Sequence, residues 1–358
     1  MDDSESDSKG KTKLSLVRRA HIRWGLAPFS LRLLLAICAI FTTLYLSITL
    51  VDVLFRRPQV RNRVLLTPSH ANRHYHNFTV VINTYQRPAQ LRSAVSHYAT
   101  TCGPAYGVDH VYIVWSEEGV DPPQFAASSS PVTVQPVRNS LNSRFLAIPG
   151  VTGAVFMVDD DIRVRCKSLQ TAFTAWQAFP DSMVGFYPRL ASSATGSSAV
   201  GDYVYHCWPI VYWRQRMNMI LTKACFLHAR FLHLYSNVQP AAIRDHVDEH
   251  FNCEDVAMSM LVANVTRYEN SRPARPLYVE GSVRDRGLFN GISSGSGHMD
   301  ERSECLNAMT RVYRDHGWPA PMEQTFTLRE ATWIRHIVGW QTRPSNVFEW
   351  FGLANVFK

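Results

Sequence analysis

Residues 154–161 constrain this chain most: Ala154, Val155, Phe156, Met157 and Val158 run directly into Asp159, Asp160 and Asp161. A short unbroken apolar run closed by polar residues has the length and composition of a strand covered on both faces. Three adjacent carboxylates then emerge where the strand ends. Their repulsion is relieved by solvent, as in an acidic surface turn, or by a bound cation. Hard Mg²⁺ or Mn²⁺ takes carboxylate oxygens and keeps positions for phosphate. In open α/β sheets, ligands bind beyond the carboxyl ends of the strands, where this cluster falls.

Around this strand the chain alternates. Residues 78–83 predict a first strand, which Thr84-Tyr85-Gln86-Arg87-Pro88 ends. A helix is expected over about 89–98, strands over 108–115 and 132–137, and a Pro/Ser/Ala-rich loop over 119–131. Further on, 169–179 predicts a helix, 184–187 a strand, 191–201 a mobile Ser/Ala/Gly loop and 203–213 an aromatic strand. A buried helix is expected over 219–235, a helix behind an acidic cap over 256–265, and a loop over 280–302. The pattern is α/β with a largely parallel sheet.

Upstream, Leu33 to Val51 is nineteen residues without a charge. At about 1.5 Å per residue it measures about 28 Å, close to a hydrocarbon core of about 30 Å. It exceeds the apolar part of a signal peptide and begins more than thirty residues from Met1, so a retained anchor is expected over 33–55, with a buried core helix as the alternative. Lys9, Lys11, Lys13, Arg18, Arg19, Arg23 and Arg32 precede it; Arg56, Arg57, Arg61 and Arg63 follow. The bias predicts a cytosolic tail over 1–32, a lumenal stem over 56–76, a lumenal domain over 77–345 and a C-terminal tail over 346–358. The net charge of +8 suits anionic ligands such as nucleotide phosphates, while no basic-aromatic nucleic-acid motif is visible. Cys38 lies in the apolar run; Cys102, Cys166, Cys207, Cys225, Cys253 and Cys305 make an even lumenal number, with no CxxC pair to suggest structural zinc. Glycosylation sequons at Asn77 and Asn264 fit the same topology.

Other segments carry candidate chemistry. In Asn252-Cys253-Glu254-Asp255, carboxylates at a helix start are favoured by the macrodipole alone; the functional alternative sets Asp255 beside the reacting group. In His298-Met299-Asp300-Glu301-Arg302, the planar fork of Arg302 could clamp a phosphate, the alternative being a charged helix start. A Cys253–Cys305 disulfide would bring Asp255 and Arg302 to one site, although six cysteines allow fifteen pairings. His246-Val247-Asp248-Glu249-His250 matches the HxxEH zinc-hydrolase pattern; with little apolar helix around it, a solvated histidine-rich turn is expected.

Taken in order, these pieces resemble the exostosin-like glycosyltransferases of family 64. They are Thr84-Tyr85-Gln86-Arg87 after a strand, Asn139-Ser-Leu-Asn-Ser-Arg144, the strand ending in three aspartates, Cys253-Glu254-Asp255-Val256-Ala257-Met258, and His298-x3-Arg302-Ser303-x-Cys305. The resemblance covers about residues 77–325. It implies a GT-A fold, a nucleotide-sugar donor, Mn²⁺ or Mg²⁺, and retention of anomeric configuration. It implies Arg87 at the nucleotide-binding loop, Asn139 and Arg144 on the nucleotide, Asp159 and Asp160 at ribose and sugar, and Asp161 as metal ligand. Asp255 falls at the catalytic carboxylate, Arg302 at the arginine that holds the diphosphate, and Cys253–Cys305 at the family's disulfide. Where animal members carry a tryptophan before the late histidine and an asparagine after the second strand, this chain has a Gly/Ser stretch over 291–297 and Trp115-Ser116-Glu117. That version looks closer to plant-type members, which glycosylate inositol phosphorylceramide.

The expectation is a single-pass type II enzyme of the Golgi or endoplasmic reticulum membrane, monomeric or oligomeric, with its catalytic domain lumenal. It would transfer an N-acetylhexosamine from UDP-GlcNAc or UDP-GalNAc to a glycan or glycolipid. A GDP-mannose donor on the same fold, a non-catalytic sugar-nucleotide binder and a zinc hydrolase built on HxxEH are the alternatives.

Overall fold

The computed structural model describes residues 29–54, 75–193, 202–287 and 298–328. The chain divides into two compact units, residues 1–63 and 64–358. In the first, Phe29–Leu54 forms a 26-residue helix, α1, over the apolar run. Its described side chains, at 31 and 33–47, are exposed. Among the described residues no helix is long and apolar enough to cross a membrane. The span expected over 33–55 is therefore present as a helix and not as a demonstrated anchor.

The second unit opens with β1 (Phe78–Thr84) and α2 (Pro88–Val95), which runs on into a π-helical turn over Ser96–Cys102. Then come β2 (Val108–Trp115), β3 (Val132–Pro136), a 3-10 turn over Leu141–Phe145, β4 (Ala154–Asp159), β5 (Ile162–Val164) and α3 (Cys166–Ala178). Next are β6 (Val184–Gly185), β7 (Pro188–Ser193), β8 (Tyr203–His206), α4 (Trp208–Arg214), β9 (Arg216–Met217), β10 (Met219–Ile220) and β11 (Ala224–His228). The last are α5 (Arg230–Asn237), α6 (Ala241–His250), α7 (Glu254–Asn270), β12 (Leu277–Tyr278), β13 (Val283–Asp285), α8 (His298–Asp315) and β14 (Phe326–Thr327).

Seven strands form the central sheet in the order β12-β6-β11-β4-β1-β2-β3. Only β11 runs antiparallel to its neighbours. The sheet therefore fits the expected GT-A-like, mostly parallel architecture. Side chains alternate across it with the strand period of two. In β4, Ala154, Phe156 and Val158 join one apolar cluster with Leu91 and Val95 of α2 and Leu169, Phe173 and Trp176 of α3. Val155 and Met157 join the opposite cluster with Phe231 and Tyr235 of α5, Val256 and Met260 of α7, and Leu306 and Met309 of α8. Both faces are covered, which is why β4 reads as an unbroken apolar run.

The same double burial explains where local patterning misleads. The helix expected over 219–235 is β10, β11 and α5: β11 puts Ala224 and Phe226 in one cluster and Cys225 and Leu227 in the other, so it shows no strand alternation. The aromatic strand expected over 203–213 ends at His206, and Pro209 in the first turn of α4 begins a helix. The HxxEH segment is helix α6, anchored by buried Ile243 and Val247, and not a turn. Of the loop expected over 280–302, residues 283–285 are strand and 298 onward helix. Residues 280–282 and 286–287 are loop as expected; 288–297, most of the loop expected over 191–201, and the tail over 346–358 lie outside the described residues. Asn77 is exposed just before β1. Asn264 is half-buried within α7, where the Thr266 hydroxyl of its sequon is buried and donates to the Val262 carbonyl at 2.6 Å.

Candidate active site

β1 and β4 lie side by side in parallel, pairing Asn83 with Asp159, so the three aspartates begin at the carboxyl edge of the sheet. Each is held differently. Asp159 Oδ1 accepts from Arg144 Nη2 at 2.5 Å. Asp160 accepts from the Thr84 hydroxyl at 2.7 Å and from Arg87 Nη1 at 3.3 Å. Asp161 Oδ2 accepts from Arg87 Nη1 at 3.0 Å. Two arginines thus relieve most of the repulsion that the sequence raised. Asp161 Oδ1 is left buried without a hydrogen-bond partner.

The segment after β13 closes over this aspartate. The Arg286 amide donates to the Asp161 carbonyl at 3.0 Å. A Cβ at Gly287 would lie 2.1 Å from Asp161 Oδ2, so any other residue would push this carboxylate out of its place. Alongside, Asp285 accepts from Lys223 Nζ at 2.8 Å and from the Tyr187 hydroxyl at 3.0 Å. The Lys223 ammonium also sits 4.6 Å from the Tyr187 ring centre. A buried carboxylate oxygen with no protein donor, beside a glycine cradle, fits one ligand of a hard divalent cation. Arg87 takes Asp161 Oδ2, so Asp161 Oδ1 is the atom that would hold it. Among the described residues the one His/Cys/Asp/Glu cluster compact enough for an ion is His97, Cys102 and Cys166, and its cysteines are joined as a disulfide.

Burial pushes the Asp160 carboxyl up to about 6 from an ordinary 3.8, against the pull of the Thr84 hydrogen bond and Arg87. Because the folded value is raised, its stabilising contribution is complete below about 3.8 and is lost as pH rises through about 6. In metal-free buffer the melting temperature should therefore decline over that window, and Asp160→Asn should flatten the decline. Differential scanning calorimetry in EDTA across this pH range checks it; an unchanged slope in the variant would count against the assignment.

A second arginine links the strand end to helix α7. Arg144, on the 3-10 turn and 4% exposed, gives Nη1 to Glu254 Oε1 at 3.0 Å while Nη2 holds Asp159. Burial, then the neighbouring Asp255 charge, pushes the Glu254 carboxyl up. The third arginine completes the row. Arg302 Nη1 lies 3.0 Å from both carboxylate oxygens of Asp255 and 3.0 Å from the Tyr205 hydroxyl. Its guanidinium sits 5.3 Å from the Tyr205 ring centre. The pair is assembled by the Cys253–Cys305 disulfide, which ties the start of α7 to α8. Asn307 then bonds both the Tyr203 amide, at 2.6 Å, and its carbonyl, at 3.0 Å, so α8 caps the edge of β8. Cys253, next to the catalytic candidates, adopts φ +72°, and Gln86, next to Arg87, φ +55°. Non-glycine residues in this region store strain that surrounding packing must hold.

The structure therefore brings Arg87, Arg144, Asp159, Asp160, Asp161, Asp255 and Arg302 to one edge of the sheet. Asn139 is exposed on the loop before the 3-10 turn. The asparagine of that segment that turns inward is Asn142, which donates to Asp248 at 2.8 Å and accepts from the Tyr235 hydroxyl at 2.6 Å. Asp248, the middle of HxxEH, is taken by Asn142, Ser140 and Arg138, while the His246 and His250 rings lie tilted with centres 4.0 Å apart. Sequence reasoning missed Glu254, Tyr205, Lys223, Tyr187 and Asp285. Only Glu254 carried a signal, its place beside Asp255.

A mostly parallel sheet with arginines and carboxylates gathered past its strand ends defines an α/β enzyme built around an anionic ligand. The Glycosyl transferase family 64 domain matches residues 78–319; the chain belongs to this family and is a glycosyltransferase. It is 36% identical over 245 residues to "Glycosylinositol phosphorylceramide mannosyl transferase 1" of Arabidopsis thaliana, covering 64% of this chain and 70% of that protein. It is 30% identical over 245 residues to mouse "Exostosin-like 2", covering 66% of this chain and 72% of that protein. The match to human "Exostosin-2", 31% over 245 residues, covers 66% of this chain but 32% of that longer protein.

Proposed function

We propose that this chain transfers a hexose, with retention, from a nucleotide diphosphate sugar to an inositol phosphorylceramide-type glycolipid. The observation that carries the reading is the Asp255–Arg302 pair, set by a disulfide at the edge of a sheet that also presents Asp161. Arg302 supplies a fixed positive fork for the departing diphosphate, and Arg87 a second, more exposed cation. Asp255 faces the site as a carboxylate that stabilises positive charge on the sugar ring or attacks it transiently. The acceptor hydroxyl would approach from the leaving-group side, its proton passing to the departing phosphate oxygen. Mn²⁺ or Mg²⁺ on Asp161 would neutralise charge growing on that diphosphate.

Mannose is the sugar named for the Arabidopsis relative and fits a GDP-mannose donor. The motif order shared with exostosin-like proteins favours UDP-N-acetylhexosamine as the second reading. A Golgi or endoplasmic reticulum membrane location belongs to the same proposal, and the uncharged apolar run Leu33 to Val51 in the sequence supports it. Donor hydrolysis by residues 64–358, with Mn²⁺ or EDTA, across GDP-mannose, UDP-GlcNAc, UDP-GalNAc and UDP-glucose tests the reading. Metal-dependent turnover of one donor is expected. A folded protein that neither binds nor hydrolyses any of them would overturn it.

A further inference from the structure

We propose that the face built from α4, the β9–β14 pair and the end of α7 docks on an anionic lipid bilayer. Trp213 is 86% exposed and Ile210 38% exposed, three residues apart on one side of α4, while Val211 and Tyr212 between them are buried. Arg214 and Arg216 follow, both exposed. Arg216 donates from Nε and Nη2 to the Thr325 hydroxyl at 3.0 and 2.6 Å, which holds β9 to the strand beside it. Arg275 lies 6.0 Å from the ring centre of Phe326 in β14. Two residues before Thr325, Glu323 accepts from Arg267 at 3.2 Å, and the next residue, Tyr268, is 92% exposed. These contacts join β9 to β14 and the end of α7 to the segment before β14, with Trp213 on α4 just before β9 and Tyr268 near the end of α7. Along this face lie Arg214, Arg216, Arg267 and Arg275; of the carboxylates nearby, Glu323 is paired with Arg267, Glu269 is paired with Arg230, and Glu280 lies near Tyr212.

A fully presented tryptophan and tyrosine bracketing arginines suit the headgroup layer, where amphipathic rings settle and guanidinium groups meet phosphate. The charge excess selects an anionic bilayer over a neutral one. The chain also connects this face to the site: β8 carries buried Tyr205, on Arg302, and leads through Cys207 into Trp208 of α4. A catalytic edge next to a membrane-seated face would meet acceptor headgroups without extracting the lipid. The proposal rests on the lipid-acceptor reading for the choice of bilayer, and on the surface itself for its existence.

The test uses residues 64–358, the unit that holds both apolar clusters and both disulfides. Co-sedimentation is measured with vesicles of phosphatidylcholine alone and with added phosphatidylinositol. Binding to the anionic vesicles is expected, weakened by salt. Trp213→Ser and Arg214→Glu should each reduce partitioning by about fivefold or more. Equal binding by wild type and both variants, or no binding to anionic vesicles, overturns the proposal. A dimer in light scattering that Trp213→Ser splits would assign the face to a second copy of the chain and overturn it equally. Melting temperatures control for folding. Donor hydrolysis without acceptor should be the same in all three proteins, so loss of vesicle binding with hydrolysis intact separates this proposal from the glycosyltransferase reading.

Discussion

Asp255→Asn should reduce sugar transfer by at least about a thousandfold, or about 4 kcal/mol of transition-state stabilisation, with a stability cost of its own because buried Arg302 loses its counter-charge. Asparagine preserves the shape of the side chain and an oxygen that can still accept from Arg302 Nη1, now at 3.0 Å from both carboxylate oxygens. What it removes is the negative charge facing the site. The loss should appear in kcat, since a charge that acts as the sugar turns cationic contributes little to binding the ground state. Arg302→Ala should abolish transfer as well, but by a mixed route. It strands the buried Asp255 carboxylate without its cation, which costs about 3–5 kcal/mol of stability in addition to the lost phosphate contact. Transfer rates, donor KM and thermal melts on both variants separate the two effects. Turnover of Asp255→Asn within tenfold of wild type would remove this residue from the mechanism.

The parts of this site that local sequence shows are those whose chemistry is unusual for their position. Three aspartates after an apolar strand, and a glutamate–aspartate pair at a helix start, are visible because charge stands where burial is expected. The fold's alternation is legible for the same reason through β1, β2 and β4, which are short apolar runs closed by polar residues. Local patterning misleads at β11, because a strand buried on both faces carries no period, and at α4, because aromatic residues suit strand and helix alike. Lys223, Tyr187 and Asp285 are invisible in sequence. Each is an ordinary residue in its own segment, and only the crossing of β13 over Asp161 makes them neighbours of the metal candidate. In the segment that carries Asn139 and Asn142, packing against Tyr235 and Asp248 turns Asn142 inward and leaves Asn139 exposed, a difference the spacing does not show. The strained conformations at Gln86 and Cys253 violate local preference beside the site, where such violations are expected to collect.

Arg144→Met should be among the most destabilising single changes in the domain, by about 3–5 kcal/mol, or about 10 °C in melting temperature for a domain of this size. The side chain is buried between Asp159 and Glu254, and methionine fills the space without replacing the charge. Asp159 is partly solvated and can turn to water. Glu254 cannot: its carboxyl is buried, already pushed up, and loses its cation. The deficit therefore depends on pH in a stated direction. With a folded value raised above the ordinary 4.5, the protonated form is stabilising, so the variant should be closest to wild type below about 4.5 and fall further behind as pH climbs. Adding Glu254→Gln should recover most of the loss at neutral pH, because the cost comes from an unpaired buried charge and not from a missing contact. A double-mutant cycle by urea melts reads this coupling directly. If the double variant is no more stable than Arg144→Met alone, the bridge to Glu254 is not what holds the 3-10 turn against α7. Donor binding then gives a second readout, since Asp159, released from its arginine, should raise KM even where stability is restored.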